Sequence, residues 1–133
     1  MATHKTNKEL ARAYFDAVIA GGLPDELLTE DMTAWTTLGG DTDGKRYQAM
    51  AAMLRRMCPE HLEFDIRALT EEEDRVVAEV VSNATLLTGE PYSNTYVFVF
   101  HMRDGRIAHV AEHFNALIVM EKLTPLMKQL TAR

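Results

Sequence analysis

The chain has 133 residues, 47% hydrophobic and 26% charged, which excludes disordered and fibrous classes and predicts one domain, residues 1–133, with a buried core. A formal charge of −6 argues against a nucleic-acid or anionic-membrane surface, since both require a basic face. Cys58 is the single cysteine, no apolar run approaches bilayer length and MATHKTNKEL lacks a signal-peptide core, so a soluble, cytoplasmic protein is expected.

Leu10, Ala11, Tyr14, Ala17 and Val18 follow helical spacing and predict a helix over 7–20, opened by a Thr6–Glu9 capping box and ended by Gly21 and Gly22. Pro24 starts a short second helix through Leu28, and DMTAWTT then alternates as a strand carrying Trp35. LGGDTDG reads as a loop. Beyond it Ala49, Met50, Met53, Leu54 and Met57 share one face of a helix over 46–57 that Pro59 closes.

LEFDIRAL, RVVAEVVSNATLL and YSNTYVFVFHM are rich in β-branched or aromatic residues and are separated by the turn signals TEEED and TGEP. Residues 107–117 supply a hairpin partner. Met120, Leu123, Met127 and Leu130 mark an amphipathic C-terminal stretch whose helix restarts at Thr124-Pro125. Helices first and a sheet afterwards predict an α+β domain, and the short connections predict an antiparallel sheet.

Glu112 lies in the middle of the last apolar strand, where burying a carboxylate is costly or raises its pKa. Two hairpin registers around Asp104-Gly105 place it differently. A two-residue turn pairs Arg103 with Arg106 and sets Glu112 opposite Val97; a three-residue loop pairs Met102 with Arg106 and sets it opposite Tyr96. In the second register Phe100, Phe98, Tyr96, Ala108, Val110, Glu112 and Phe114 share a face, too aromatic to be solvated, with the Tyr96 hydroxyl as the partner of Glu112. Val97, Val99, His101, His109 and His113 then form a half-polar outer face suited to a dimer. The plainer alternative for Glu112 is a rim carboxylate held by a backbone amide or by Arg12; the sharper one is a pocket acid or base with a raised pKa.

HVAEH, residues 109–113, matches the H-x-x-E-H pattern of one zinc-peptidase class, but on a strand the two imidazoles stand about 13 Å apart and cannot share a metal. No metal is expected. Cys58 near His61 reads as a structural cysteine, and Asp65 with Arg67 as a solvated pair. Met50, Met53 and Met57 read first as core, and alternatively as an adaptable apolar pocket wall. No nucleotide or phosphate motif is present, and no cofactor is expected.

The order of elements, with ARAYFDAVIAGG, DMTAW, NTYVFVFHMRDGRI and AEHFNAL, resembles the SnoaL-like branch of the NTF2-like superfamily over nearly the whole chain. The resemblance implies a cone-shaped α+β barrel in which a curved antiparallel sheet wraps the N-terminal helices around an apolar pocket, commonly as a homodimer. Its members include polyketide cyclases, steroid isomerases, dehydratases and epoxide hydrolases beside non-catalytic binding domains, so fold does not settle activity. Relatives often carry Glu-Tyr-x-Asp in the last strand. Here the stretch is Glu112-His113-Phe114-Asn115, which places an amide where the family's carboxylate moves a proton. Against the ketosteroid isomerases, a standard example of pKa tuning, Tyr14 matches the hydrogen-bonding tyrosine. Thr36 stands at the base position and Phe98 at the second acid, so that route is disfavoured.

Three functions follow as expectations. The first is a small-molecule enzyme using acid–base chemistry on an apolar oxygenated compound, of isomerase, cyclase, dehydratase or hydrolase type. Its catalytic candidates are Glu112, Tyr96 and Tyr14, and its pocket candidates are Trp35, Met50, Met53, Phe98, Phe100, Val110, Phe114 and Asn115. The second is a non-catalytic binding protein for an apolar small molecule, and the third a homodimeric interaction domain. A small apolar molecule and a second copy of the chain are the expected partners, without nucleic acid or membrane.

Overall fold

A computed structural model describes residues 5–132. Helix α1 spans Asn7–Ala20, and Thr6 accepts from the Glu9 amide while the Glu9 carboxylate accepts from the Thr6 amide, the reciprocal cap expected. Gly21, at φ 133°, ends the helix in a conformation that side-chain-bearing residues avoid. Thr6→Ala should lower stability by about 1 kcal/mol in a urea melt, as loss of an N-cap typically does; no change would mean that packing alone holds the helix start.

A 3₁₀ turn at Asp25–Leu27 leads into β1 (Leu28–Thr36), which begins earlier than the alternation of DMTAWTT suggests. The segment predicted as a loop contains β2 (Gly40–Asp43), paired antiparallel with β1. Its Gly and Asp residues are poor strand formers, so only the pairing with β1 makes it a strand. Helix α2 (Gly44–Met57) starts two residues earlier than expected because the Asp43 side chain accepts from the Arg46 amide. Then come β3 (Glu60–Glu72), β4 (Arg75–Thr85), β5 (Pro91–Arg103), β6 (Arg106–Phe114) and the short helices α3 (Ala116–Lys122) and α4 (Thr124–Thr131). Asp65 and Arg67 on β3 form the expected exposed pair.

The six strands make one curved, unclosed sheet in the order β2-β1-β6-β5-β4-β3. The prediction of a wholly antiparallel sheet fails at one ladder, because β1 and β6 run parallel. Connection length constrains only strands adjacent in sequence, and between β1 and β6 lie α2 and the whole β3–β5 meander, ample chain for a crossover.

The β5–β6 hairpin combines parts of both expected registers. Asp104 and Gly105, at φ 54° and 75°, form a two-residue turn that pairs Arg103 with Arg106 and Met102 with Ile107. The pairing then shifts: His101 faces His109, leaving Ala108 as an extra residue in β6. Continued unshifted, the turn would set Glu112 opposite Val97 and outward. The bulge reverses the alternation, so Glu112 faces Phe98 and joins the aromatic side of the sheet. Its cross-strand partner is thus neither Val97 nor Tyr96.

The core lies between that side and α1. Phe98 and Phe100 stack 5.9 Å apart, and the Tyr14 and Phe15 rings meet them at 5.0–6.0 Å. On α2 the buried stripe is Tyr47, Ala51 and Met57, while Ala49 and Met50 are exposed. The predicted face was rotated, because methionines at helical spacing tolerate a half-wet position whereas the large Tyr47 ring, 1% exposed, occupies the interior. Among the described residues no helix is long and apolar enough to cross a membrane.

Candidate active site

Between α1, α2, the sheet and the C-terminal helices lies an apolar cavity of about 90 Å³. Tyr14 and Val18 of α1 and Tyr47, Ala51 and Leu54 of α2 form one side. Tyr96, Phe98, Phe114 and Glu112 form the sheet side, and Val119, Leu123 and Met127 of α3 and α4 close the end. A larger open groove of about 620 Å³ runs beside the 3₁₀ turn and the start of β1, but exposed acids such as Asp25 and Glu30 line it and it encloses no chemistry.

Glu112 is half-buried and borders the cavity. The Tyr47 hydroxyl donates to its Oε1 at 2.7 Å, and the Tyr14 hydroxyl lies 2.5 Å from that of Tyr47. The carboxylate therefore has a partner, though not the expected Tyr96 or Arg12. Burial raises the Glu112 pKa to about 7, against a smaller lowering by the Tyr47 hydrogen bond. Burial, followed by the nearby charge of Glu112, keeps both tyrosines protonated well above their usual range.

Tyr47→Phe removes the hydroxyl that, among the described residues, donates to ionised Glu112. The Glu112 pKa should then rise above 7 by about 1–2 units, since a hydrogen bond to a charged group is worth ~1.5–3 kcal/mol. Carboxyl-carbon NMR titration reads this directly; an unchanged or lower value would show that the 2.7 Å contact does not stabilise the anion.

Tyr96 belongs to a separate network. Its hydroxyl lies 2.8 Å from that of Tyr92, which accepts from Asn94 Nδ2 at 3.1 Å. Asn94 also holds the start of α3, donating to the Asn115 carbonyl and accepting from the Asn115 amide.

The catalytic candidates Glu112, Tyr96 and Tyr14 border one cavity together with the pocket candidates Met50, Phe98 and Phe114. Five pocket candidates are placed elsewhere. Trp35 lies on the outer face of the sheet with its ring 4.8 Å from His113, as strand alternation from the buried Ala34 and Thr36 requires. Phe100 and Val110 are fully buried in the core and do not border the cavity, and Met53 packs against the core without bordering it either. Asn115 is exposed and its side chain caps α3 by accepting from the Leu117 amide. Tyr47 is the residue that sequence reasoning missed. The available signal was the Tyr47, Ala51, Leu54 spacing, overshadowed by the adjacent methionines.

The side chains of the H-x-x-E-H spelling, His109, Glu112 and His113, do not converge on one point. His109 Nδ1 bonds Thr33 Oγ1 at 2.8 Å on the outer face, His113 lies against Trp35, and Glu112 points to the opposite side. Among the described residues no three His, Cys, Asp or Glu side chains are grouped to hold a metal ion. Thr36, on the strand beside Glu112, is buried with its Oγ1 accepting from the Gly39 amide at 2.9 Å.

The curved, unclosed sheet wrapped on helices forms a cone, and Glu112 faces the apolar cavity that it surrounds. The sequence pattern of the SnoaL-like domain matches residues 11–110, and the chain belongs to that family. Tyr14, Tyr47 and Tyr96 fall within the matched segment and Glu112 just beyond it. A candidate polyketide cyclase from Pseudomonas putida KT2440 is 27% identical, with a TM-score of 0.74 over 89% of this chain and 98% of that one. A candidate isomerase from Bacillus subtilis is 23% identical, with a TM-score of 0.75 over 87% and 91%. An NTF2-like protein from Anabaena variabilis is 24% identical, with a TM-score of 0.70 over 86% and 95%, and the fold is NTF2-like. Comparison with curated proteins finds no match.

Proposed function

We propose that this protein is a small-molecule enzyme that transfers a proton through Glu112 on an apolar, oxygenated substrate, in an isomerisation, cyclisation or elimination. The observation that carries this reading is a carboxyl group facing an aromatic cavity with its pKa brought to about 7, where it can both accept and return a proton near neutral pH. Family membership and the neighbouring candidate cyclase and isomerase support the same class of chemistry.

The cavity, about 90 Å³, is smaller than the ~300–1,000 Å³ usual for drug-sized ligands. A small cyclic ketone suits it as it stands, while a polyketide-sized compound needs the Val119–Met127 wall to move outward. Incubating the protein with a panel of cyclic ketones in heavy water tests the reading. Deuterium should enter α to the carbonyl faster than in buffer, and Glu112→Gln should remove the gain. Exchange at the buffer rate with every ketone, or equal exchange by the variant, would overturn it.

A non-catalytic binding role is the second reading, favoured by the commitment of Asn115 to the α3 cap and of Thr36 to the Gly39 amide. It predicts that a ligand carried through purification keeps its mass on prolonged incubation. A homodimer joined through the outer sheet face, where Val97, His101 and His109 lie, accompanies either reading; a monomer in light scattering would refute that assembly.

A further inference from the structure

On the outer side of the sheet, away from the cavity, two imidazoles meet across the β5–β6 hairpin. His101 and His109 are direct cross-strand partners, with ring centres 5.7 Å apart and ring planes at 70°. The bulge at Ala108 creates this pairing too. Continued unshifted from Arg103 and Arg106, the ladder would set His101 opposite Ala108 and His109 opposite Phe100, and the two rings would lie on opposite sides of the sheet.

The spacing suits a shared ion. Two imidazoles bound to one ion at ~2.0–2.1 Å from each nitrogen hold their ring centres ~5–6 Å apart, which the resting separation already meets. His109 is also held in place from behind, because its Nδ1 lies 2.8 Å from Thr33 Oγ1 on the neighbouring strand β1. With Nδ1–H donating to that oxygen, Nε2 keeps a free lone pair, the arrangement that outer partners impose on metal-ligating histidines. Burial, then the adjacent His101, lowers the His109 pKa against an opposing pull from Asp41, so the ring is neutral near pH 7 and able to coordinate.

The surroundings tolerate a cation. Arg75 is the β4 residue facing His101, but its guanidinium lies 3.5 Å from the Glu72 carboxylate, which offsets its charge. Both imidazoles are half-buried, which leaves an ion a path from solvent. The other described histidines have no such partner: His113 lies against Trp35, and His61 Nδ1 is 3.2 Å from Thr85 Oγ1.

We propose that His101 and His109 form a binding site for a divalent transition-metal ion, held by two imidazole nitrogens with water in the remaining positions, and that Thr33 positions His109. The site faces away from Glu112, belongs to one chain and does not rest on the proton-transfer reading. Imidazole ligands select copper, nickel and zinc over magnesium and calcium, which take oxygen donors, and copper(II) should bind more tightly than nickel(II) or zinc.

The test is calorimetric titration of zinc chloride into the full chain, without a polyhistidine tag and in a buffer that does not chelate metals, with each variant's fold checked by circular dichroism. Wild type should bind zinc with micromolar affinity, and His101→Gln and His109→Gln should each weaken binding at least tenfold, because either change leaves a single imidazole. Thr33→Val should weaken it about tenfold, as loss of an outer partner does, and Thr33→Ser should restore most of the loss. His113→Gln should bind as wild type does. NMR of wild type reads the same site without any substitution: zinc should shift the ring signals of His101 and His109 and leave those of His61 unmoved. No binding by wild type up to millimolar zinc, loss of affinity in only one of the His101 and His109 variants, or an equal loss in His113→Gln would overturn the assignment.

Discussion

Glu112→Gln should reduce turnover by about 10²- to 10⁴-fold, the usual contribution of one positioned acid or base, while leaving the shape of the cavity intact. In wild type kcat/KM should rise with pH through about 7 as the carboxylate forms, and the residual rate of the variant should lack that inflection. Stability changes in the opposite sense. Burial raises the Glu112 pKa from 4.5 to about 7, so the folded chain holds the proton more tightly than the unfolded one. The contribution of this group is complete below pH 4.5, falls as pH rises towards 7, and above that leaves a penalty of up to about 3 kcal/mol. Urea melts at pH 5 and pH 8 should therefore show wild type losing stability across this window and Glu112→Gln changing little. Parallel pH profiles for the two proteins would show that Glu112 is solvated and ionises normally.

Phe100→Ala should destabilise the fold by about 3–5 kcal/mol, the range for emptying a packed aromatic site. The ring is 0% exposed and packs 5.2 Å from Tyr14, 6.0 Å from Phe15 and 5.9 Å from Phe98, away from the cavity. Against total stabilities of ~5–15 kcal/mol this brings the protein near unfolding, so Phe100→Leu provides a milder variant for the same melt. A small loss in stability with a large change in ligand affinity would mean that Phe100 belongs to the pocket wall after all. The contrast with Phe98 is instructive: both point inward from β5, yet only Phe98 reaches the open chamber.

Much of the site is readable because strand alternation is a local rule. Once Tyr96, Phe98 and Phe100 share a face and are too apolar for water, a carboxylate on the facing strand of the hairpin has two orientations, and the aromatic side was the better choice. The partner of that carboxylate was not readable. Tyr47 sits on a helix sixty-five positions away in the chain, and only the folded path of α2 across the sheet brings its hydroxyl to 2.7 Å from Glu112. Trp35 was misplaced for the converse reason: an aromatic residue on a strand suggests a pocket, but the buried alternate positions Ala34 and Thr36 force its ring outward.

From its residues alone the chain determines the caps of α1, the sequence of the main helices and strands, a turn at Asp104-Gly105 and the shared aromatic face of Tyr96, Phe98 and Phe100, all set by interactions within a few positions or by periodicity. Tertiary structure decided the parallel β1–β6 ladder, the strand at β2, the Ala108 bulge and the Tyr14–Tyr47–Glu112 chain. Each of these depends on contacts between segments distant in sequence, whose geometry is set by how the whole sheet curves over α1 and no local pattern encodes.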